Sequence, residues 1–360
     1  MSSYDLQSCN NILLADHWFD ICFWLCPTEI FLLRSLNHYF NSMILNLNFD
    51  MIHSIKVANI SKIQQVFPKI KLHINVGTII PDTNTNSNNI VSLHVDYEYC
   101  PRCQFSISEY TNLTKLSIYS SLFIPELKKL TKISNLDFFN NNKISDTDIS
   151  HLTKLSELTI GRNKSITDKG LSVHTNLKKL HLYRNKITSL GIRELTNLIS
   201  LKIEYNLYIK DDALFLLSNL TQLHIVYSPE ITNAGIEKLI NLRDLKLIGN
   251  ININDNGIKK LTNISTLFIN NNTTITEKGL KKLINITDLT IINSTIEGTV
   301  LNSLTNIRVL HIGLRHNVIS ENIQNLSNLI YLTCDDYVLT HNIRQMPNVQ
   351  YINYKKKQQA

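Results

Sequence analysis

The stretch that decides the fold covers residues 155–171 and reads LSELTIGRNKSITDKGL. Clear copies occupy residues 177–192 (LKKLHLYRNKITSLGI), 242–258 (LRDLKLIGNININDNGI) and 264–280 (ISTLFINNNTTITEKGL). Each copy places two apolar residues two positions apart, as in a short β-strand with one buried side. Thr167-Asp168 and Thr276-Glu277 then suit the start of a short helix.

The same phrase returns along most of the chain with a period of about 22 residues. The copies begin at residues 90, 113, 133, 155, 177, 198, 220, 242, 264, 286, 307, 329 and 349. A copy of this length has room for a strand, a turn and a short helical return, and it cannot bury its apolar side alone. The sequence therefore predicts stacked copies with parallel strands over residues 90–354.

Asparagine is predicted to be structural where it stands nine positions into a copy. Its amide can donate and accept hydrogen bonds towards backbone groups of adjacent turns. The chain has 44 Asn and 49 Ile but only 5 Ala and 10 Gly. A/T-rich codons, as in some protists and large DNA viruses, explain this bias where the repeat assigns no role, as in residues 84–89. The registered positions are Asn163, Asn185, Asn206, Asn250 and Asn272.

The phrase is the leucine-rich-repeat pattern, and residues 90–354 resemble that family in about twelve copies. The resemblance implies an α/β solenoid with a curved parallel β-sheet on its concave side and short helices on its convex side. Two departures are visible: Ile often replaces Leu, and Asn stands where the cysteine-containing subclass has Cys after the strand.

The first 50 residues do not follow the repeat, and their apolar spacing predicts two or three short helices. Residues 10–50 resemble the F-box, a small all-α module, with Ala15 where that family has Pro. The resemblance implies that this module docks a Skp-type adaptor. The alternative is a helical cap that only shields the first copy. The adaptor-binding residues would be Leu14, Asp16, Ile21, Leu25, Pro27, Leu33 and Leu36.

The remaining segments are predicted to be a connector and a tail. Residues 51–89 join the module to the repeats, and residues 67–76 have the pattern of a degenerate first strand. Residues 81–89 are predicted to be a polar loop, and residues 355–360 are predicted to be a basic tail.

Strand residues between the buried positions are predicted to lie on the concave side, where they form a basic and aromatic patch. Aromatic side chains with cationic neighbours are typical of protein interfaces. We expect this patch to bind an acidic or phosphorylated protein substrate; the alternative is a sheet surface that is only solvated. The predicted substrate-binding residues are Arg162, His181, Tyr183, Arg184, Lys202, Tyr205, His224, Tyr227 and Lys246.

Other features argue against catalysis, cofactors and metals. Histidines 94, 181, 224 and 311 recur at one repeat position without an evident nucleophile and carboxylate. Cys100 and Cys103 have the spacing of half a zinc site, but no second pair follows. The net charge of +7 is a weaker basic excess than nucleic-acid binders usually have. Irregular cysteines and the lack of a signal peptide or membrane-spanning stretch predict a cytoplasmic or nuclear protein.

The two resemblances together imply the substrate-recognition subunit of a cullin-based ubiquitin ligase of the SCF type. The F-box would dock the adaptor and its cullin complex, while the repeats hold the substrate. The alternative is a leucine-rich-repeat interaction scaffold without a ligase role. Nucleic-acid binding through the basic patch is a third hypothesis, marked by strong salt dependence.

Overall fold

The structure is a computed structural model that describes only part of the chain. The described residues are 50–51, 71–76, 90–95, 107, 110–119, 126–313, 318, 320–334, 349 and 351–354. Residues 10–49 of the predicted F-box module (residues 10–50), the polar loop, the two cysteines at 100 and 103 and the basic tail lie outside them. The chain divides into two compact units, Met1–Phe138 and Phe139–Ala360.

The first unit contains parallel strands and a 3₁₀ turn. Each strand pairs in parallel with the next one in the chain. Strand β2 lies in the predicted connector, at the position of the degenerate strand. The elements are β1 (Asp50–Met51), β2 (Lys71–Val76), β3 (Ile90–Val95), β4 (Lys115–Ile118), η1 (Leu127–Lys129) and β5 (Asn135–Phe139), whose last residue opens the second unit.

The strands of the second unit also pair in parallel, each with the next. Leu158 pairs with Leu180, which pairs with Leu201, so the register follows the repeat and confirms it. The strands are β6 (Glu157–Gly161), β7 (Lys179–Tyr183), β8 (Ser200–Glu204), β9 (Gln222–Val226), β10 (Asp244–Ile248), β11 (Thr266–Asn270), β12 (Asp288–Ile292), β13 (Val309–Ile312), β14 (Tyr331–Cys334) and β15 (Tyr351–Tyr354).

Short helical turns return the chain from one strand to the next. Helices of four or five residues are unstable alone, so packing against their neighbours holds them. The predicted caps are confirmed: the Thr167 and Thr276 hydroxyls accept hydrogen bonds from backbone amides two residues on. The turns are α1 (Asp146–Ile149), α2 (Asp168–Ser172), α3 (Ser189–Ile192), η2 (Asp211–Ala213), α4 (Asn233–Ile236), α5 (Asp255–Ile258), α6 (Glu277–Leu280), η3 (Gly298–Ser303) and α7 (Ser320–Gln324).

The core of the second unit is built from two apolar positions of each strand. Leu158 and Ile160 are the buried pair of β6, and Leu201 and Ile203 are that of β8. Each full burial of such a side chain contributes roughly 1.5–3 kcal/mol. Isoleucine replaces leucine readily here because a β-branched side chain suits a strand. This explains much of the isoleucine excess.

The predicted structural asparagines form a buried column beside the core. Asn272 is fully buried, and its Nδ2 donates to the carbonyls of Asn250 (2.7 Å) and Ile253 (2.9 Å). Its Oδ1 accepts from the backbone amides of Thr274 (3.0 Å) and Ile275 (2.9 Å). One side chain thus satisfies backbone groups in its own turn and in the preceding repeat. Ser228 and Ser294 take this position in two copies.

A second row of interactions links the helical turns. Oδ1 and Oδ2 of Asp255 accept from the backbone amide and the hydroxyl of Thr276, both at 2.8 Å. Gly279 gives this carboxylate its space, because a Cβ there would lie 2.5 Å from Asp255 Oδ1. An Asp in one copy, the Thr in the next copy and the Gly three residues after that Thr therefore form a joint between neighbouring repeats. The same joint occurs at Asp146–Thr167, Asp168–Thr188 and Asp211–Thr232.

A third row consists of exposed asparagines near the starts of the strands. Asn285 Nδ2 donates to the Thr262 carbonyl at 2.9 Å, and Asn263 donates to the Ile240 carbonyl at the same distance. These bonds also cross between adjacent repeats. The sequence pattern did not predict a role for these asparagines. Part of the asparagine excess that was attributed to A/T-rich codons is therefore structural.

The two asparagine rows predict different costs of substitution. Asn272→Ala removes four hydrogen bonds to backbone groups at a buried position and leaves backbone amides unpaired, so we expect a loss of about 3 kcal/mol or more in unfolding free energy. Asn285→Ala removes one exposed bond and should cost less than about 1 kcal/mol. Urea unfolding of both variants measures the difference. Equal losses would contradict the assigned role of the buried column.

His174 is a histidine in a leucine position of the repeat. The equivalent residues of the neighbouring copies, Leu152 and Leu195, are fully buried, and His174 is 4% exposed. Its Nε2 has no hydrogen-bond partner among the described residues. Burial lowers the pKa of His174 because the charged ring would lose its hydration.

The buried ring predicts an acid-sensitive stability. Below the unfolded-state pKa of about 6.5, the unfolded chain takes up a proton at His174 that the folded chain resists. The unfolding free energy should therefore decrease as the pH is lowered below about 6.5, by up to about 1.4 kcal/mol per pH unit, until the pH reaches the lowered folded-state pKa. His174→Leu should remove this contribution. Denaturant unfolding of wild type and of His174→Leu at pH 7.5 and 5.5 measures this contribution. The same difference in unfolding free energy between the two proteins at both pH values would contradict the prediction.

Candidate protein-binding surface

The predicted strand residues lie side by side on the second unit's sheet. We call this surface, formed by the side chains of β6–β10 that alternate with the buried ones, the open face. Along its middle, His181 pairs with Lys202, Lys202 with His224, and His224 with Lys246 in register. Neighbouring parallel strands are about 4.8 Å apart, so these four side chains form a continuous row.

Four of the other predicted residues lie beyond the strands, and their placement on strands was wrong. Arg162, Arg184, Tyr205 and Tyr227 each follow the last strand residue and have positive φ values of 46°, 45°, 51° and 44°. Gly249 has the same conformation in the next copy, with a φ of 67°. The chain adopts this left-handed turn to leave the strand and bring the following buried residue inwards. A side chain there costs about 1–2 kcal/mol in backbone strain.

Aromatic rings and guanidinium groups alternate along these turns. Arg162 lies over the rings of Phe139 and Tyr183, with its Cζ 5.7 Å from each centroid. Arg184 lies 5.5 Å from the Tyr183 centroid and 4.7 Å from that of Tyr205. Cation–π contacts of this kind contribute about 0.5–1 kcal/mol each at exposed sites. We call the set the strand-exit strip: Phe139, Arg162, Tyr183, Arg184, Tyr205 and Tyr227.

The rings also contact one another across repeats. The centroids of Tyr183 and Tyr205 are 5.6 Å apart and those of Tyr205 and Tyr227 are 5.1 Å apart. Phe139 reaches Tyr183 two copies away, at 5.2 Å, because Gly161 lies between them without a side chain. A Cβ on Gly161 would lie 2.0 Å from Phe139 Cδ2. This glycine therefore makes the strip continuous.

A second glycine extends the strip in the other direction. The ring of Tyr227 lies over Gly249, where a Cβ would be 2.3 Å from its Cε1. The Tyr227 hydroxyl accepts a hydrogen bond from Asn271 Nδ2 at 3.1 Å, two copies further on. Phe139, absent from the predicted residues, and these two glycines were missed. Only a comparison of the same position in alternate copies would have revealed them.

The open face carries acidic as well as basic groups. His181 Nε2 lies 3.1 Å from Glu204 Oε1, and this hydrogen bond is the largest cause that lowers the pKa of Glu204. The charges of Lys246 and Lys202 lower it further, against the opposing effect of burial. The carboxylate is therefore ionised at neutral pH.

A similar histidine–carboxylate pair lies one strand further along. Burial raises the pKa of Asp244, but hydrogen bonds from His224 (3.2 Å) and Gln222 (2.5 Å) outweigh it and hold the pKa below its usual value. Lys246 instead lies over the Phe268 ring, 4.6 Å from its centroid. The open face is thus a mixed surface, and the predicted basic character is concentrated at the strand-exit strip. No ion pair involves Arg162 or Arg184 within the described part of the chain.

The described residues contain no group of three or more His, Cys, Asp or Glu that could hold a metal ion. A depression of about 290 Å³ borders His181, is open to solvent and is also lined by Thr159 and Lys202 among others. Catalytic sites are usually enclosed and largely bury their substrates. This surface is therefore better suited to binding than to chemistry.

Solved structures similar to this chain are leucine-rich-repeat proteins. An internalin from Listeria monocytogenes is similar over 82% of this chain and 89% of its own, with 23% identity and a TM-score of 0.57. A leucine-rich-repeat protein from Leptospira interrogans is similar over 88% and 98%, with 18% identity and a TM-score of 0.53. No family model and no curated protein matches the sequence. The fold is thus the leucine-rich-repeat solenoid.

The gap at Gly161 predicts energetic coupling with Phe139. Gly161→Ala should displace the ring and break its contacts with Tyr183 and Arg162, whereas the same change in a Phe139→Ala background should displace nothing. A double-mutant cycle of unfolding free energies should therefore give a coupling of about 0.5–3 kcal/mol. Additive effects of the two substitutions would contradict the arrangement.

Proposed function

We propose that the chain is a non-catalytic interaction protein that binds a protein partner through the open face and the strand-exit strip. The observation that carries this proposal is the strip itself. Tyr205 and Tyr227 are 37% and 39% exposed, although a tyrosine ring can be buried in a core. The Arg184 guanidinium lies over the rings of Tyr183 and Tyr205 and restricts their positions. Rigid aromatic and arginine side chains are the residues that contribute most to binding energy at interfaces.

The finer proposal is that the chain is the substrate-recognition subunit of an SCF-type ubiquitin ligase. Its support is the F-box resemblance of residues 10–50, which precedes the repeats as in that family. In this role the chain performs no chemistry itself. It raises the effective concentration of substrate lysines near the ligase, which accelerates their modification. The partners would be a Skp-type adaptor with its cullin complex and one protein substrate.

This role requires a cytoplasmic or nuclear location, which we propose for the chain. The structure contributes one related finding: among the residues it describes, no helix has the length and apolar character needed to cross a membrane. If the gene is viral, the ligase would be that of the host cell.

Affinity capture with two paired variants tests both levels of the proposal. The tagged full chain is expressed in cells and captured together with a recombinant Skp-type adaptor. Arg184→Glu with Lys202→Glu should lose the substrate and keep the adaptor, because it reverses charge only on the repeats. Leu25→Asp with Leu33→Asp should lose the adaptor and keep the substrate.

The matched control reverses two exposed charges elsewhere on the repeats. Lys281→Glu with Lys282→Glu lies after α6, away from the open face, and should retain both partners. If the wild-type chain captures no adaptor, the ligase role is refuted and the interaction scaffold without a ligase role remains. If Arg184→Glu with Lys202→Glu, which we call the open-face variant, still captures the substrate, the proposed binding surface is refuted. Circular dichroism confirms that each variant is folded.

A further inference from the structure

The two arginines of the strand-exit strip form a doubly charged clamp. Arg162 and Arg184 belong to consecutive repeats, about 4.8 Å apart, and both lie over Tyr183 at 5.7 and 5.5 Å. Stacking uses the flat side of a guanidinium and leaves its in-plane N–H donors available. Both side chains are exposed. Glu204, which pairs with Tyr183 on the next strand, interacts with His181.

This geometry suits a dianion better than a single carboxylate. A phosphoryl group carries about −1.5 to −2 charges and three acceptor oxygens, and so matches two forks of donors. The rings on either side restrict the rotamers of both arginines, which reduces the entropy lost on binding. The clamp is thus preorganised for a phosphoryl group.

Exposed apolar side chains continue the same edge beyond the clamp. Leu207, Tyr208 and Ile251 are 61%, 50% and 58% exposed, and they lie in the turns that follow Tyr205 and Gly249. Exposed Pro229 occupies the intervening turn. Contiguous apolar side chains on a surface mark binding sites. A partner that covers the clamp therefore has apolar contacts available on one side of it.

The spacing defines the length of the segment that reaches both features. The repeat of Arg184 and that of Ile251 are three copies apart, which corresponds to roughly 15 Å. An extended peptide advances about 3.3 Å per residue and spans this distance in four or five residues. The stacked rings of Tyr205 and Tyr227 lie between the two features.

We propose that this edge binds an extended phosphopeptide, with its phosphoryl group between Arg162 and Arg184 and an apolar side chain, four or five residues away, against Ile251. This inference rests on the proposed function and names the chemistry of the partner. A nucleic-acid backbone would present a phosphate at every repeat. The following copies have Tyr205, Tyr227, Gly249, Asn271 and Asn293 at the position of the arginines, so the charge match ends after two repeats.

Fluorescence anisotropy with defined peptides tests the proposal on the full chain. The probes are labelled peptides with a central phosphoserine, phosphothreonine or phosphotyrosine and a leucine placed two to six residues to either side. Phosphorylated peptides with leucine at four or five residues on one side should bind about tenfold or more tightly than their unphosphorylated forms. Equal binding of the two forms would overturn the proposal.

Variants separate the two parts of the site. Arg184→Lys keeps the charge and the fold but loses the planar fork, so it should weaken phosphopeptide binding several-fold, and adding Arg162→Lys should weaken it further. Ile251→Ser should remove the preference for leucine at four or five residues and keep the phosphate preference. The Lys281→Glu and Lys282→Glu control should bind as wild type. Phosphate-dependent binding that ignores both arginines would place the site elsewhere and overturn the proposal.

A single-stranded 20-nucleotide probe in the same buffer provides the competing outcome. Tighter binding of this probe, with a steep salt dependence, would overturn the phosphopeptide assignment. Failure here is distinguishable from failure of the proposed function. If no peptide binds but the open-face variant still loses its captured partner, the phosphopeptide inference fails while the interaction role remains. If that variant retains all partners, the proposed surface itself is wrong.

Discussion

The buried asparagine at the end of the strand is the interaction on which the repeat structure depends. A chain that leaves one strand and enters the next repeat exposes amides and carbonyls that no sheet or helix can pair. Asn272 satisfies four such groups in two adjacent copies, and a buried unpaired group costs about 1–3 kcal/mol. The bond works only between neighbours, so it fixes both the turn and the spacing of the copies.

This column and the joints between the helical turns leave the opposite side of the sheet free for function. Asp255, Thr276 and Gly279 connect consecutive helical turns. The side chains of the open face therefore contribute little to the stability of the fold. They can therefore vary, and in one region the turns that follow the strands carry arginines and tyrosines in left-handed conformations. Strained conformations of this kind persist where the surrounding structure fixes them. The rigid repeats thus support a preorganised strand-exit strip.

The sequence predicted the fold well because its information is periodic. A one-residue error in register would move Leu158 and Ile160 out of the core, so a pattern repeated over a dozen copies leaves one arrangement. Prediction of the candidate surface was less complete. The middle row from His181 to Lys246 follows from strand alternation alone. The contact of Phe139 with Tyr183 does not, because it joins alternate copies through the gap above Gly161.

The sequence by itself determined the repeat, its register, the buried columns of leucine, isoleucine and asparagine, and the residue types on the open face. These features follow from the local periodicity of the sequence, because each copy repeats the same pattern of residue types. The tertiary structure alone decided that Arg162 and Arg184 lie beyond the strands, that both stack on Tyr183, and that Glu204 and Asp244 engage histidines rather than arginines. Such contacts depend on side-chain directions between copies, and these are fixed only when the copies are stacked.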